Sequence, residues 1–292
     1  MAMIAPTPDE VIAALDLGDA TQVLPVGGGM SGAILWRVQR PAPRGALLLR
    51  LFPHSDRATV EHEARAQRHA HAAGIATPRI DTIGAVADCP VIVMEWLTGR
   101  IMLDVLAAEP ERAEALGHSG GALLRQIHAL PATDDLAAGG NFEYRLAGVE
   151  PWLVERISTG QRTPTALHVD FHPGNLLVGD DGRLSVLDWT NAAVGDPLID
   201  LGRTFACLQL GATLHAGAIG RDAIDAWWRG LVAGYGATDR TIEELAPFFA
   251  FGLVTLVNDL LETVDVGVPD DALQELVIQR DAWLGLARQV GG

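Results

Sequence analysis

The chain has 292 residues, of which 49% are hydrophobic and 20% are charged, and its formal net charge is −16 at pH 7. This composition is typical of a globular protein with enough residues for a sizeable core, and the length predicts two domains or one large bilobal unit. The acidic balance argues against a nucleic-acid partner, and two cysteines are too few for a disulfide framework.

The first residues show no basic segment followed by an apolar run, which is what a signal peptide requires. The longest apolar run, residues 247–257, is too short to span a bilayer. A chain with few cysteines and neither of these segments belongs in a reducing compartment. We therefore expect a soluble cytoplasmic protein without a membrane partner.

The chain begins with a predicted helix, a strand and a glycine-rich loop. Thr7 is followed by Pro8 and, three residues after the threonine, by Glu10, which is the pattern of a capped helix start. This helix is expected to run to about Leu15. Residues 21–26 are β-prone and lead into the sequence GGGMSG at positions 27–32.

The glycine-rich loop matches GxGxxG, so a dinucleotide-binding fold must be considered. That fold requires a helix directly after the glycines, but residues 33–39 are β-prone and no acidic residue follows at the usual distance. A P-loop is also excluded, because the chain contains no lysine. In kinases a glycine-rich loop between antiparallel strands covers the nucleotide phosphates with backbone N–H groups. We therefore expect nucleotide contacts from Gly28, Gly29, Ser31 and Gly32.

More strands and one helix follow this loop. Residues 46–52 form a predicted strand whose only charge is Arg50, and strand alternation alone leaves open that this arginine faces outward. Residues 55–73 have a helical composition that ends at a glycine and carry two candidate carboxylates, Glu61 and Glu63. Residues 79–86 and 91–96 are predicted to form the next antiparallel pair.

The second part of the chain is predominantly helical. Residues 111–130 carry apolar side chains at helical spacing, with His128 on the same face as a predicted packing residue. A short helix follows Pro151. A further helix is predicted to start at Gly195-Asp196-Pro197, with Asp196 as its N-cap and Pro197 in its first turn. Three more helices are predicted at residues 223–233, 242–263 and 271–290.

Between the short helix and the last three lies LHVDFHPGNLLVGDDGRLSVLDWTNAAVGDPLIDLGR, residues 167–203. Two short apolar strands, 176–178 and 184–187, are joined by a Gly-Asp-Asp-Gly turn, which predicts a hairpin. The hairpin brings Asp188 back beside Asn175 and Asp170. One carboxylate and one amide can then hold a divalent ion through oxygen atoms, while a second carboxylate serves as a base, as kinase chemistry requires.

Two other functions fit part of this pattern. His168, Asp170 and His172 alternate, so on a strand they would share one face and form a metal-dependent hydrolase site with Asp188. A Pro-Gly pair at 173–174 breaks that strand, and a hydrolase leaves the glycine-rich hairpin unexplained. A non-catalytic kinase-like binding protein is the third possibility.

The motif HxDxxxxN at His168, Asp170 and Asn175, the Asp188-Trp189 pair and GDPxxDL at 195–201 resemble the aminoglycoside phosphotransferase and choline kinase group. The resemblance extends over nearly the whole chain. It implies an α+β, protein-kinase-like bilobal fold with an N-terminal nucleotide-binding lobe, residues 1–97, built from an antiparallel sheet and one helix. The second lobe, residues 98–292, is then mainly helical and binds the substrate. The implied reaction is transfer of the γ-phosphate of ATP or GTP, with Mg²⁺, to a small-molecule hydroxyl, by a monomer or homodimer.

The resemblance also implies roles for individual residues. Asp170 is the catalytic base, and Asn175 and Asp188 are catalytic residues that bind magnesium. Arg50 replaces the usual phosphate-binding lysine, and Glu63 rather than Glu61 orients it. The remaining implied roles are a gatekeeper and adenine-binding hinge at Met94, Glu95 and Leu97, substrate-side contacts at Trp152, Glu155, His172 and Trp189, and structural support from His168 and Asp200.

Besides Arg50, the chain departs from the family pattern in two places. Val169 stands where the family usually has glycine, which affects loop conformation more than chemistry. The aminoglycoside 3′-hydroxyl kinases end with an acidic, substrate-contacting C-terminus, whereas this chain ends LARQVGG. Residues 98–292 carry 27 acidic residues against 13 arginines, so an amine-bearing, hydroxylated small molecule is the favoured acceptor. The resemblance adds an aminoglycoside-like compound or another antibiotic as a candidate.

Overall fold

The computed structural model describes residues 5–27, 32–133, 136, 146–158, 162–214, 218–262 and 268–290. Its residues divide into two compact units, Met1–Thr98 and Gly99–Gly292. The first contains an antiparallel sheet and the second is mainly helical, so the predicted α+β class is confirmed.

The first unit is a five-stranded antiparallel sheet with the order β1-β2-β3-β5-β4. Strand alternation sends Leu47, Leu49 and Leu51 to one face, where they pack with Val11 of the first helix. The opposite face packs against Val60 and neighbouring residues of the second helix. The elements are α1 (Pro8–Ala14), β1 (Gln22–Val26), β2 (Ile34–Gln39), β3 (Leu47–Leu51), α2 (Arg57–Ala72), β4 (Ile80–Val86) and β5 (Cys89–Glu95).

The predicted start of the first helix is confirmed. The Thr7 hydroxyl accepts a hydrogen bond from the Glu10 backbone N–H at 3.3 Å, and the Glu10 carboxylate accepts from the Thr7 backbone N–H at 2.8 Å. The second helix begins two residues later than predicted, because the Asp56 side chain caps it through the Thr59 N–H at 2.8 Å.

The second unit is mainly helical and contains two small antiparallel sheets, β6-β8-β9 and β7-β10. The predicted hairpin is present within one residue of its expected ends, and Gly182 adopts a φ of +79° in its turn. One helix and three very short strands, α3, β6, β7 and β10, were not predicted. The elements are β6 (Arg100–Ile101), α3 (Met102–Ala108), α4 (Ala113–His128), α5 (Pro151–Ser158), β7 (Thr165–Leu167), β8 (Leu176–Val178), β9 (Leu184–Val186), β10 (Ala193–Gly195), α6 (Leu198–Leu214), α7 (Arg221–Tyr235), α8 (Ile242–Glu262) and α9 (Asp270–Gln289).

Helices α6 and α8 pack at very close range. A Cβ atom at Gly202 would lie 2.1 Å from the Phe248 carbonyl oxygen, and one at Gly252 would lie 2.1 Å from the Gly202 carbonyl oxygen. Only glycine allows this approach of the two backbones. The contact fixes the position of α6, which carries Asp200 and Arg203, against α8.

Helix α8 is the one helix among the described residues that is long and apolar enough to cross a membrane. In the structure 67% of its apolar window is buried, which is also how a core helix of a globular protein looks. Length and composition alone therefore give only weak evidence for a membrane span.

Candidate active site

Asp170 lies in an irregular loop between β7 and β8. The Asn175 side-chain amide donates to the Asp170 backbone carbonyl and to the Asp170 Oδ2, both at 2.9 Å. Asn175 itself ends a short 3-10 turn, Pro173–Asn175. Because its amide nitrogen is turned toward Asp170, its amide oxygen is the atom that can bind an ion.

Asp188 follows the hairpin that the sequence predicts. The Leu187 backbone N–H donates to the Asn175 carbonyl at 2.8 Å, so the chain reaches Asp188 directly beside Asn175. Asp188 has a φ of +59°, and its Oδ1 accepts hydrogen bonds from the Thr190 hydroxyl at 2.6 Å and from the Thr190 N–H at 3.3 Å. A carboxylate and an amide oxygen are hard donors of the kind that Mg²⁺ prefers, so these residues fit this metal.

The electrostatic surroundings of Asp170 favour its ionised form. Its Oδ1 lies 3.6 Å from the His172 Nε2 and 3.8 Å from the Cys207 Sγ. Burial by itself would raise the pKa of Asp170, but the charge and hydrogen bond of His172, together with the charge of Arg203, outweigh it. The pKa of Asp170 therefore falls well below its ordinary value of 3.8.

Asp200 connects the loop to two distant helices. It is fully buried, and its carboxylate accepts from the backbone N–H groups of His168 at 2.8 Å and Val169 at 2.5 Å. The Asp200 Oδ2 is also 2.9 Å from the His128 Nε2, and the Tyr235 hydroxyl is 2.8 Å from the His128 Nδ1. Burial and the Asp200 charge raise the pKa of Tyr235 to about 12. The prediction that His128 is a packing residue is confirmed.

His168 cannot serve as a metal ligand in this arrangement. Its side chain is fully buried, its Nε2 lies 3.0 Å from the Leu187 carbonyl oxygen, and its Nδ1 accepts the Asp170 N–H at 3.3 Å. Burial lowers the pKa of His168. Since both ring nitrogens are occupied, the four-ligand hydrolase site of the sequence analysis is not formed.

The predicted substrate-side residues lie in different environments. Trp189 is 1% exposed and packs against the His168 ring with centroids 4.9 Å apart, so the structure places it with the supporting side chains. Trp152 is half-buried on α5, donates to the Glu150 carboxylate and lies under the Arg288 guanidinium. Glu155 is exposed on the same helix.

The first unit carries the predicted nucleotide-binding residues that can be described. Arg50 is 7% exposed and lies on the face of the sheet that packs against α2, where it forms a buried ion pair with Glu63. The outward-facing alternative for this arginine is therefore wrong. Glu61 instead pairs with Arg57 at the surface, at 2.7 Å.

The predicted gatekeeper and hinge residues come at the end of β5. Met94 is buried beneath α2, and its sulfur is 3.7 Å from the Gln67 amide nitrogen. The Glu95 carboxylate accepts from the Arg79 backbone N–H at 2.7 Å, and Leu97 follows the strand. Gly32 is exposed with a φ of +67°. Gly28, Gly29 and Ser31 lie outside the described residues.

Sequence reasoning missed two side chains beside the loop, Arg203 and Cys207. The Arg203 Nε donates to the Val169 carbonyl at 3.3 Å, and Cys207 approaches Asp170. Both follow Asp200 at intervals of three and seven residues, which is one face of a helix. That periodicity was the available signal, but it does not say which face meets the loop.

A protein-family model and solved structures both match this chain. A family model described as the phosphotransferase enzyme family matches residues 22–156 and 142–248. Comparison with curated proteins gave no match.

Solved structures share the fold over most of the chain. A thermostable mutant of aminoglycoside phosphotransferase APH(4)-Ia is 14% identical, with 98% of this chain and 100% of that chain covered and a TM-score of 0.65. Plasmodium vivax ethanolamine kinase is 12% identical, with coverages of 97% and 89% and a TM-score of 0.63. Aminoglycoside phosphotransferase APH(3'')-Id from Streptomyces rimosus, in complex with ADP and streptomycin, is 19% identical, with coverages of 87% and 99% and a TM-score of 0.60.

Proposed function

The chain belongs to the phosphotransferase enzyme family and is a small-molecule phosphotransferase, and we propose that it moves the γ-phosphate of ATP to a hydroxyl group with Asp170 as the base. One observation carries the assignment to Asp170. Its carboxylate is oriented by the Asn175 amide and kept ionised by its surroundings, which a proton acceptor requires.

The reaction needs one proton transfer and one displacement. The acceptor hydroxyl gives its proton to the Asp170 carboxylate, its oxygen forms the new bond to the γ-phosphorus, and the bond from phosphorus to the β,γ-bridging oxygen breaks. Asn175 and Asp188 would hold Mg²⁺, which when bound neutralises phosphate charge. His168 and Asp200 fix the backbone on which Asp170 stands.

We assign nucleotide binding to residues 1–97. Binding of the acceptor is assigned to residues 98–292, which also contain the catalytic loop, residues 168–175. Arg50, oriented by Glu63, would contact the phosphates with its planar fork. The glycine-rich loop would cover the phosphates, and the backbone of Glu95 and Leu97 would bind the base next to Met94. ATP is favoured over GTP because a similar structure contains ADP.

The acceptor is proposed to be an amine-bearing, hydroxylated small molecule. The excess of acidic residues after position 97 concentrates cations at the surface of this unit. The streptomycin and ADP complex of the Streptomyces rimosus enzyme, which has a similar fold, adds aminoglycosides to the candidates. The half-buried Trp152 and the neighbouring Glu155 are proposed to contact the acceptor, together with His172.

A substrate panel tests this proposal. Aminoglycosides, macrolides, nucleoside antibiotics, choline and sugar-like metabolites are incubated with Mg²⁺ and either ATP or GTP, and each product is examined by mass spectrometry for one added phosphoryl group. We expect at least one amine-bearing acceptor to be phosphorylated, and Asp170→Asn to lose the product. Nucleotide hydrolysis without any phosphorylated acceptor, unchanged in Asp170→Asn, would contradict the proposal.

A further inference from the structure

Val169, directly before Asp170, has an unfavourable backbone conformation. Its φ is +67°, in the left-handed region that β-branched residues rarely adopt. Its side chain is fully buried, so the conformation is part of a packed structure and not of an exposed turn. A conformation of this kind persists only when surrounding contacts hold it.

Both backbone polar groups of Val169 are held by side chains of α6. The Asp200 Oδ1 accepts the Val169 N–H at 2.5 Å, and the Arg203 Nε donates to the Val169 carbonyl at 3.3 Å. Asp200 and Arg203 lie one helical turn apart on the same face of α6, so one can bind the N–H and the other the carbonyl of Val169.

Arg203 is itself fixed from the opposite side. It is 2% exposed, and its two terminal nitrogens donate to the Thr255 hydroxyl at 2.9 Å and to the Asp259 carboxylate at 3.0 Å, both on α8. The guanidinium therefore bridges α8 to the catalytic loop. Its planar shape allows three directed hydrogen bonds, which lysine cannot reproduce.

We propose that Arg203 is a positioning residue that holds Val169 in the left-handed conformation and thereby aims Asp170. The Val169 carbonyl belongs to the peptide unit that continues into Asp170, so its rotation would turn the base away from the acceptor. Glycine adopts the same conformation without support. A glycine at position 169 should therefore make Arg203 largely dispensable.

A double-mutant cycle tests this inference, with Val169→Gly, Arg203→Met and the double variant. The kinetic part rests on the proposed function and uses the best acceptor of the panel. Misplacement of a catalytic group by about 1 Å can cost 10²-fold in rate, so we expect Arg203→Met to lower kcat by about 10- to 100-fold with little change in the KM for nucleotide. In the Val169→Gly background the same change should cost less than about threefold.

The matched control is Arg162→Met. Arg162 also forms an ion pair in the second unit, with Asp196 at 2.8 Å. No side-chain hydrogen bond or ion pair joins Arg162 or Asp196 to residues 168–175, all of which the structure describes. This variant should leave kcat unchanged in both backgrounds. Equal losses of kcat from Arg203→Met with valine or glycine at position 169 would overturn the inference.

The same cycle is measured in urea without any substrate. Arg203→Met should raise the unfolding equilibrium constant by a larger factor with valine than with glycine at position 169. Arg203→Lys provides a milder variant if the methionine variant does not fold. Additive effects on stability would refute the inference even if the enzyme is active. Conversely, a coupled stability cycle in a protein that phosphorylates no acceptor would reject the proposed function and retain the role of Arg203 in holding Val169.

Discussion

Arg50 in the first unit and Asp170 in the second are both charged groups with restricted exposure, but they are held by different kinds of structure. Arg50 lies within β3 and forms an ion pair with Glu63 of α2, across the regular packing of a helix on a sheet. Asp170 stands in an irregular loop, whose backbone is fixed by buried side chains of α6.

The difference affects how each site should respond to mutation. A side chain on a strand keeps its direction when a neighbour is lost, because the ladder of backbone hydrogen bonds remains. A loop has no such ladder, so each lost side-chain contact changes the position of the residue that it supports. We therefore expect substitution of Arg50 to affect mainly nucleotide binding, and loss of a side chain that supports the loop to affect mainly turnover.

Asp188→Ala should have the largest effect. It removes a proposed metal ligand and with it the neutralisation of phosphate charge, so we expect kcat/KM to fall by at least about 10³-fold. Binding of Mg-nucleotide, measured by calorimetry, should weaken in parallel. Asp181→Ala, in the exposed turn of the same hairpin, is the control and should retain activity. Normal Mg-nucleotide binding by Asp188→Ala would exclude Asp188 as a metal ligand.

Asp170→Asn isolates the proton transfer. A general base contributes typically about 10²–10⁴-fold, so kcat should fall by this factor while nucleotide binding is retained. The asparagine preserves the shape of the side chain and loses its ability to accept the proton. A residual rate above about a tenth of wild type would show that another group acts as the base.

Arg50→Ala tests the nucleotide-binding proposal for the first unit. We expect a higher KM for nucleotide and a lower kcat, with an unchanged KM for the acceptor. Arg50→Lys should recover only part of the loss, since lysine restores the charge without the planar fork. Arg57→Ala, which breaks the surface pair with Glu61 on α2, serves as the control. Wild-type kinetics in Arg50→Ala would remove this arginine from the site.

The same contrast explains how much could be predicted from the sequence. The hairpin that brings Asp188 beside Asn175 depends on local signals, namely two apolar runs and the turn residues between them, so the ends of its strands were predicted to within one residue. The face of β3 that carries Arg50 was left open, because alternation does not say which side a helix covers.

The supporting contacts of the loop could not be predicted from local pattern. Asp200 meets His168 across 32 positions and His128 across 72, and Arg203 meets Asp259 across 56. Such contacts depend on how α4, α6 and α8 pack, which leaves no periodic mark near the loop. Trp189 is also buried, where it packs against the His168 ring.

The smallest expected effect concerns His172 and the pH dependence of the base. Burial raises the pKa of Asp170, and His172 is the strongest influence that lowers it below the ordinary value of 3.8. Asp170 must be ionised to accept a proton. In the wild type, the fall of kcat/KM that is caused by protonation of Asp170 should therefore lie below pH 3.8. In His172→Gln burial is less opposed and the pKa rises, so kcat/KM should begin to fall at a higher pH, with a modest loss at neutral pH.

The ratio of variant to wild-type kcat/KM against pH is the quantity to measure, because titration of nucleotide and acceptor cancels in it. His118→Gln, at an exposed position of α4, should give a flat ratio.

The stability of the folded protein against urea provides a second readout. A carboxyl group with a depressed pKa in the folded state stabilises the protein above its unfolded pKa, and this contribution is lost as the pH falls. In urea unfolding, the free energy of unfolding of His172→Gln should therefore rise less between acidic and neutral pH than that of the wild type. A flat kinetic ratio down to acidic pH would mean that Arg203 and the loop contacts alone keep Asp170 ionised.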